Sequence, residues 1–301
     1  MFLIPPERLN HLLGRFRNVL SKPQFENSHD YVTGLYLCGD ICLPSSARYG
    51  NPKKCNEKGI PFRTKIELCN EIIGHRSIAR KTVTLIDSWY TGNEVISNCR
   101  KRAYGWIGDL RPNRVTIYDG KCMNVSNLLN ILRKRGQFTD TVIDDQIYQT
   151  VKVMAYIPSL RENVSIVINA KADTKDVHVL CTDLQHEDVS TIFRYARKRV
   201  TIENSYKDAK QLGFGEYRFR KSEAALIHAL LVFLAYILLQ ILRYRLSYRI
   251  TKGLPSMEFV MTWVRKKTRH GFIHYICDKL KQGTSIRSLI MTVGKIDTNY
   301  V

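Results

Sequence analysis

The chain has 301 residues, with 47 Lys and Arg against 27 Asp and Glu, a formal net charge of +20 and a pI of about 9.7. With 44% hydrophobic and 25% charged residues it has the composition of a globular protein, which excludes disorder as its main state and a collagen- or mucin-like low-complexity chain. Such an excess of positive charge is also foreign to enzymes of neutral metabolites, and it points toward a polyanionic partner.

In chain order, a short helix is predicted at Glu7–Leu20, behind Pro5 and Pro6, whose early interruption of the apolar start argues against a secretory signal. Two β-rich runs, YVTGLYLC and ICLPSSARY, predict a hairpin over Tyr31–Tyr49 with its turn near Gly39 and Asp40. A basic polar loop over 50–63 follows. Thr64 is then a fair N-cap for the helix KIELCNEIIG, and Glu67, three residues on, completes a capping box. TVTLI at 82–86 is a continuous apolar, β-branched run of the kind a strand covered on both faces shows, and it ends in Asp87. A helix near Asn93–Arg102 and a strand near Tyr104–Asp109 continue an α/β alternation.

From 114 to 180 the pattern changes. VTIY, QIYQTVKVMAYI, ENVSIVINA and VHVLC are strand-like and NVSNLLNILRK at 124–134 is helical, so this stretch is expected to be a mostly β insertion leading back to a core strand at 177–182. One helix is predicted from Asp188 through Lys210. The run LIHALLVFLAYILLQIL, 226–242, is at the short limit for a membrane span, and with no second span elsewhere a buried central helix is the favoured reading. Further basic helices are expected to the end. Residues 190–301 hold 21 Lys and Arg against 7 Asp and Glu, net +14, so the basic surface belongs to the C-terminal third. Each phosphate neutralised there releases condensed counterions, which makes nucleic acid the leading partner, ahead of an anionic membrane or a merely solubilising surface.

Eight cysteines lie at 38, 42, 55, 69, 99, 122, 181 and 277 without short-loop spacing, as expected in a reducing compartment. Cys38-x3-Cys42 followed by Cys55 has no matching Cys/His pair at finger spacing, so no structural zinc is expected.

Taken as one helix, residues 194–210 place Tyr195, Arg199, Glu203 and Lys210 on one face. An aromatic hydroxyl, a guanidinium, a carboxylate and an ammonium so aligned suit phosphate together with a metal ion, with Glu203 as a hard oxygen ligand. A solvated face with an Arg199–Glu203 ion pair is the plainer alternative. Asp87 sits at the C-terminal end of a buried strand, where α/β sheets tend to bind ligands, although it could equally begin the turn DSWYTGN as an Asx residue.

TLIDSWYTG at 84–92 resembles the second-aspartate segment of DDE-type transposases of bacterial insertion sequences. Residues 195–239, with an Arg-x3-Glu-x6-Lys core, a glycine-containing loop and a long apolar helix, resemble their third-acid segment, and HDYVTG at 29–34 and GIPFRTKIELCNEII at 59–73 are similar to stretches between the first and second acids. The resemblance implies an α/β, RNase H-like mixed sheet flanked by helices, with a β-rich insertion and a basic helical C-terminal part. Its segments would be an uncertain 1–29, a first core part 30–113, an insertion 114–176, a second core part 177–243 and the basic region 244–301. It implies cutting and joining of phosphodiester bonds at transposon ends, with Asp87 and Glu203 as catalytic metal ligands for two divalent ions, Mg2+ or Mn2+ in its place. Tyr195, Arg199 and Lys210 would contact DNA phosphates. The implied partners are DNA and, in synapsis, a second copy, in the cytoplasm on the nucleoid, with no membrane role.

The chain departs from the family at three points. The tyrosine spacing is Tyr195-x3-Arg199, Val200 replaces the usual tryptophan, and no aspartate precedes Lys22 to supply the first acid. Asp30 and Asp40 are weak substitutes. The resemblance therefore implies a shortened copy, with a remnant that binds DNA without cutting it as the alternative reading.

Overall fold

A computed structural model describes residues 2–3, 31–39, 41–49, 62–74, 82–171, 177–216, 222–249 and 253–289. The expected helix at 7–20 and the loop at 50–61 lie outside these residues. The chain divides into two compact units, Met1–Ile237 and Leu238–Val301.

Among the described residues, the first unit is built on one sheet of eleven strands. They are β1 (Phe2–Leu3), β2 (Tyr31–Cys38), β3 (Ile41–Tyr49), β4 (Val83–Ile86), β5 (Gly105–Asp109), β6 (Val115–Tyr118), β7 (Lys121–Asn124), β8 (Thr139–Ile143), β9 (Gln146–Ile157), β10 (Glu162–Lys171) and β11 (Val177–Thr182). Their order is β3-β2-β1-β4-β5-β11-β10-β9-β6-β7, with β8 on β9. β4 runs parallel to both neighbours, β1 and β5, whereas every other pairing is antiparallel. The strands of 114–176 thus lengthen the core sheet through β10–β11 and β11–β5 hydrogen bonds rather than forming a layer of their own.

Helices cover both faces because successive strand residues point opposite ways. Ile86, Trp106, Ile166, Ile168 and Cys181 pack with α1 (Lys65–Gly74), α2 (Asn93–Lys101) and α3 (Val125–Lys134). Their sequence neighbours Leu85, Ile107, Val167 and Leu180 pack with α4 (Val189–Arg197), α5 (Val200–Gln211) and the first half of α6 (Ser222–Arg249). The local signals hold where they were strong. The Thr64 amide donates to Glu67 Oε2 at 2.6 Å and the Glu67 amide to Thr64 Oγ1 at 3.2 Å, which is the capping box of α1.

Two expectations need correction. The helix predicted over 188–210 is two helices, α4 and α5, separated at Lys198–Arg199. The apolar helix is longer than predicted, running to Arg249, so a boundary at 243/244 would fall inside it, and it is covered on one face. Ala225, Ala229, Val232, Phe233 and Tyr236 are buried, while Ile227, Leu230, Leu231 and Leu234 are about half exposed. A helix apolar all round does not reveal which stripe has a neighbour, and here the sheet supplies one side. By length and composition Glu223–Tyr248 could cross a membrane, but 33% of its most apolar window is buried inside the protein.

In the second unit, Ser256 caps α7 (Met257–Lys281) by accepting from the Phe259 amide at 3.1 Å. Met257, Val260 and Met261 are buried at its start. Farther along, Arg265, Lys266, Lys267 and Arg269 are exposed.

Candidate active site

Strand β4 delivers Asp87 to the C-terminal edge of the sheet, where its side chain is buried at 4% residue exposure. The chain then folds back at once. The amides of Tyr90 and Thr91 donate to the Asp87 carbonyl at 2.9 and 3.0 Å, and the Thr91 hydroxyl donates to the same oxygen at 3.0 Å. Asp87 Oδ1 accepts from the Trp89 amide and from Ser88 Oγ, both at 3.2 Å, so Asp87 does form the Asx turn that DSWYTGN allowed. Its other oxygen, Oδ2, lies 3.1 Å from Arg199 Nη1.

Arg199 has a second partner, which sequence reasoning missed. Asp109 ends β5, and because Ile86 pairs with Gly108 in the parallel ladder, Asp87 and Asp109 leave neighbouring strands side by side. Asp109 Oδ2 is 3.4 Å from Arg199 Nε, so one guanidinium bridges two carboxylates. The signal was available: two consecutive strands of one βαβ unit each end in aspartate at the ligand-binding edge.

The break between α4 and α5 decides where the other predicted residues go. Lys198 and Arg199 donate their amides to Tyr195 and Ala196, and Thr201 and Ile202 donate theirs to Lys198 and Arg199, at 3.0 to 3.1 Å. These bonds span three residues, so the chain tightens locally between the two helices. Tyr195 is half-buried against the core under α4. Arg199 turns to the acids, Glu203 is exposed in the first turn of α5, and Lys210 is half-exposed in its last turn. The structure joins Asp87 to Arg199. Asp30 and Asp40 lie outside the described residues.

α5 is fixed by Ile202, Tyr206 and Ala209, all buried in the core. The Tyr206 hydroxyl is hydrogen-bonded to that of Thr33 on β2. Burial pushes the Tyr206 phenol up to about 12, while the bond to Thr33 pulls the other way. Beside the acids lies a cavity of about 310 Å³, lined among others by Asp109, Arg199, Arg197, His178, Asn169 and Tyr148. Arg197 is held away from the acids by Asp144 at 2.5 Å and by the Tyr148 hydroxyl. Arg111 donates to Ser88 at 3.3 Å and its guanidinium lies over the Trp89 ring at 5.7 Å, which adds a cation at the Asp87 turn.

A buried acid ending a parallel strand is thus met by an arginine from the helices after β11, which brings the two resembling segments together. A model of the transposase DDE domain matches residues 63–238. The chain belongs to the DDE transposase family. A comparison with curated proteins finds no match. The mixed sheet flanked by helices is accordingly the RNase H-like fold of these transposases. DDE transposases act on DNA and use divalent metal ions.

With Arg199 in place, the described residues of this transposase do not fit a pair of such ions. Asp87 uses one oxygen in the turn and the other on the guanidinium, and Asp109 meets the same guanidinium. Among the described residues no three Asp, Glu, His or Cys side chains come together as a metal site. Of β1, the described residues Phe2 and Leu3, opposite Leu85 and Ile86, are both apolar.

Proposed function

We propose that this transposase cuts and joins phosphodiester bonds at transposon ends, with Asp87 and Glu203 as the acids of the reaction. The observation that supports this most is the contact of Asp87 with Arg199, 112 positions apart, which brings the second- and third-acid segments to one sheet edge. In this reading Arg199 and Lys210 face the DNA backbone, and Tyr195 assists from the end of α4. Asp87 and Glu203 would be the residues to hold Mg2+, or Mn2+ in its place, which would supply activation of the attacking oxygen, and the Asp87 carboxylate would have to be free of Arg199 for that. The basic C-terminal third adds non-specific affinity for DNA. The protein works on the nucleoid in the cytoplasm, off the membrane, and pairs with a second copy when two ends are brought together.

A second reading, binding of DNA without cleavage, is favoured by one observation: the Arg199 guanidinium already occupies the Asp87 carboxylate that cleavage would need. A supercoiled-plasmid nicking assay with Mg2+ and with Mn2+ separates the two. Metal-dependent nicking by the wild-type chain, lost in folded Asp87→Ala and Glu203→Ala variants, is the outcome expected of the first reading. Salt-sensitive DNA binding with no nicking would replace it by the second.

A further inference from the structure

We infer that His270 and His274 on α7 are the two protein ligands of a site for a divalent transition-metal ion of the Zn2+ class, with the remaining coordination positions open to water. The site belongs to the second unit and does not depend on the reading of Asp87 and Glu203 as acids of DNA cleavage.

The two histidines are four residues apart within a regular helix, so their side chains leave α7 on one face, one turn apart. Both are exposed. Their rings meet edge to face with centroids 4.5 Å apart, and the two Nε2 atoms are 3.0 Å from each other. Two imidazole nitrogens bound to one zinc ion at their usual distance stand roughly 2.9 Å apart at a right angle and roughly 3.3 Å apart at the tetrahedral angle. The pair already has that separation. In the contact as it stands, one neutral ring donates its Nε2–H and the other accepts. A shift of the first ring to its Nδ1–H tautomer gives both Nε2 atoms a lone pair for a common ion, with no proton lost.

Imidazole nitrogen suits Zn2+, Ni2+ and Cu2+, whereas Mg2+ prefers oxygen, so this site takes a different ion from a carboxylate site. Two nearby ammonium groups are engaged with aromatic rings. Lys267, three residues before His270, has its Nζ over the Trp263 ring at 5.8 Å, and Lys279 has its Nζ over the Tyr275 ring at 5.9 Å and donates to Gln282 Oε1 at 3.2 Å. Lys266, four before His270, opposes a cation there, and Asp278, four after His274, offsets it. Among the described residues no third Asp, Glu, His or Cys joins the pair, which is the ligand count of an open site and not of a closed structural one.

The test is a calorimetric titration of the full chain with Zn2+ alone in the presence of excess Mg2+, with the exposed thiols of Cys38, Cys122 and Cys277 alkylated in every sample. Wild type should bind one ion, and His270→Gln and His274→Gln should each raise its Kd by about tenfold or more, because the chelate is lost and a single imidazole remains. Both positions are exposed, so these variants should melt as wild type does. The double variant Phe272→His with His274→Gln keeps the number of imidazoles but puts them on opposite sides of the helix, and it should bind as weakly as His274→Gln. No Zn2+ uptake by wild type would overturn the inference, as would equal affinity in wild type and His274→Gln. Recovery of wild-type affinity in the double variant would overturn it too, since spacing would then not matter.

Discussion

Asp87 is held in place from behind by a residue with no side chain. A Cβ on Gly108 would sit 2.6 Å from Thr91 Oγ1 and 2.8 Å from its Cγ2, and Thr91 is buried with its hydroxyl on the Asp87 carbonyl. Gly108→Ala should therefore cost about 1–3 kcal/mol by overpacking, measured by denaturant unfolding. Thr91→Ala removes the obstacle along with its hydrogen bond, so the double variant should be clearly less destabilised than the sum of the two single variants. Simple additivity would show that Gly108 is not pressed against Thr91. At this scale the sequence is legible for Asp87, which a buried apolar run announces, and not for Arg199 as an acid's partner. Which carboxylate an arginine meets depends on strands and helices more than a hundred residues apart, and no local pattern carries that.

At the scale of elements, Asp188 caps α4, accepting from the Thr191 amide at 2.6 Å. The Thr191 bonds hold its carboxyl below the usual value of 3.8. A depressed folded-state pKa stabilises above the unfolded value and ceases to do so as pH falls through the folded one, so the cap acts at neutral pH and is lost in acid. Asp188→Ala should lower stability by about 1 kcal/mol at neutral pH, in chemical denaturation. The deficit should vanish well below pH 3.8, and a deficit that persists there would mean that the carboxylate charge is not what caps the helix. Helix starts of this kind are readable because the signal is a side chain three residues from its target. The break between α4 and α5 is not, since no glycine or proline marks Lys198–Arg199 and the change is one of hydrogen-bond spacing. β7 and β8 were missed for different reasons. β8 is short and largely exposed, without a clear apolar alternation. β7 follows Asp119-Gly120, both at positive φ, a strong two-residue hairpin signal that the sequence does contain.

For the first unit as a whole, the sequence gives the alternation of strands and helices and the return to a core strand at 177–182, but not the continuity of the sheet. Strand pairing is a choice among many partners, and periodicity specifies faces rather than neighbours. The observed continuity predicts that amides of β5, β10 and β11 exchange hydrogen together, by one opening of the whole sheet; separate, earlier exchange of β10 would show that the insertion opens independently. The pairing of β11 with β5 also has a consequence for how such a protein can change over time. Asp109 lies opposite Leu180, so the chain leaves the core and re-enters it on adjacent, oppositely directed strands. A segment whose two anchors are neighbours adds little closure entropy as it grows. Hairpins can accumulate beyond β11, at the far margin of the sheet, in one lineage and be pruned in another, while the edge that carries the acids keeps its register.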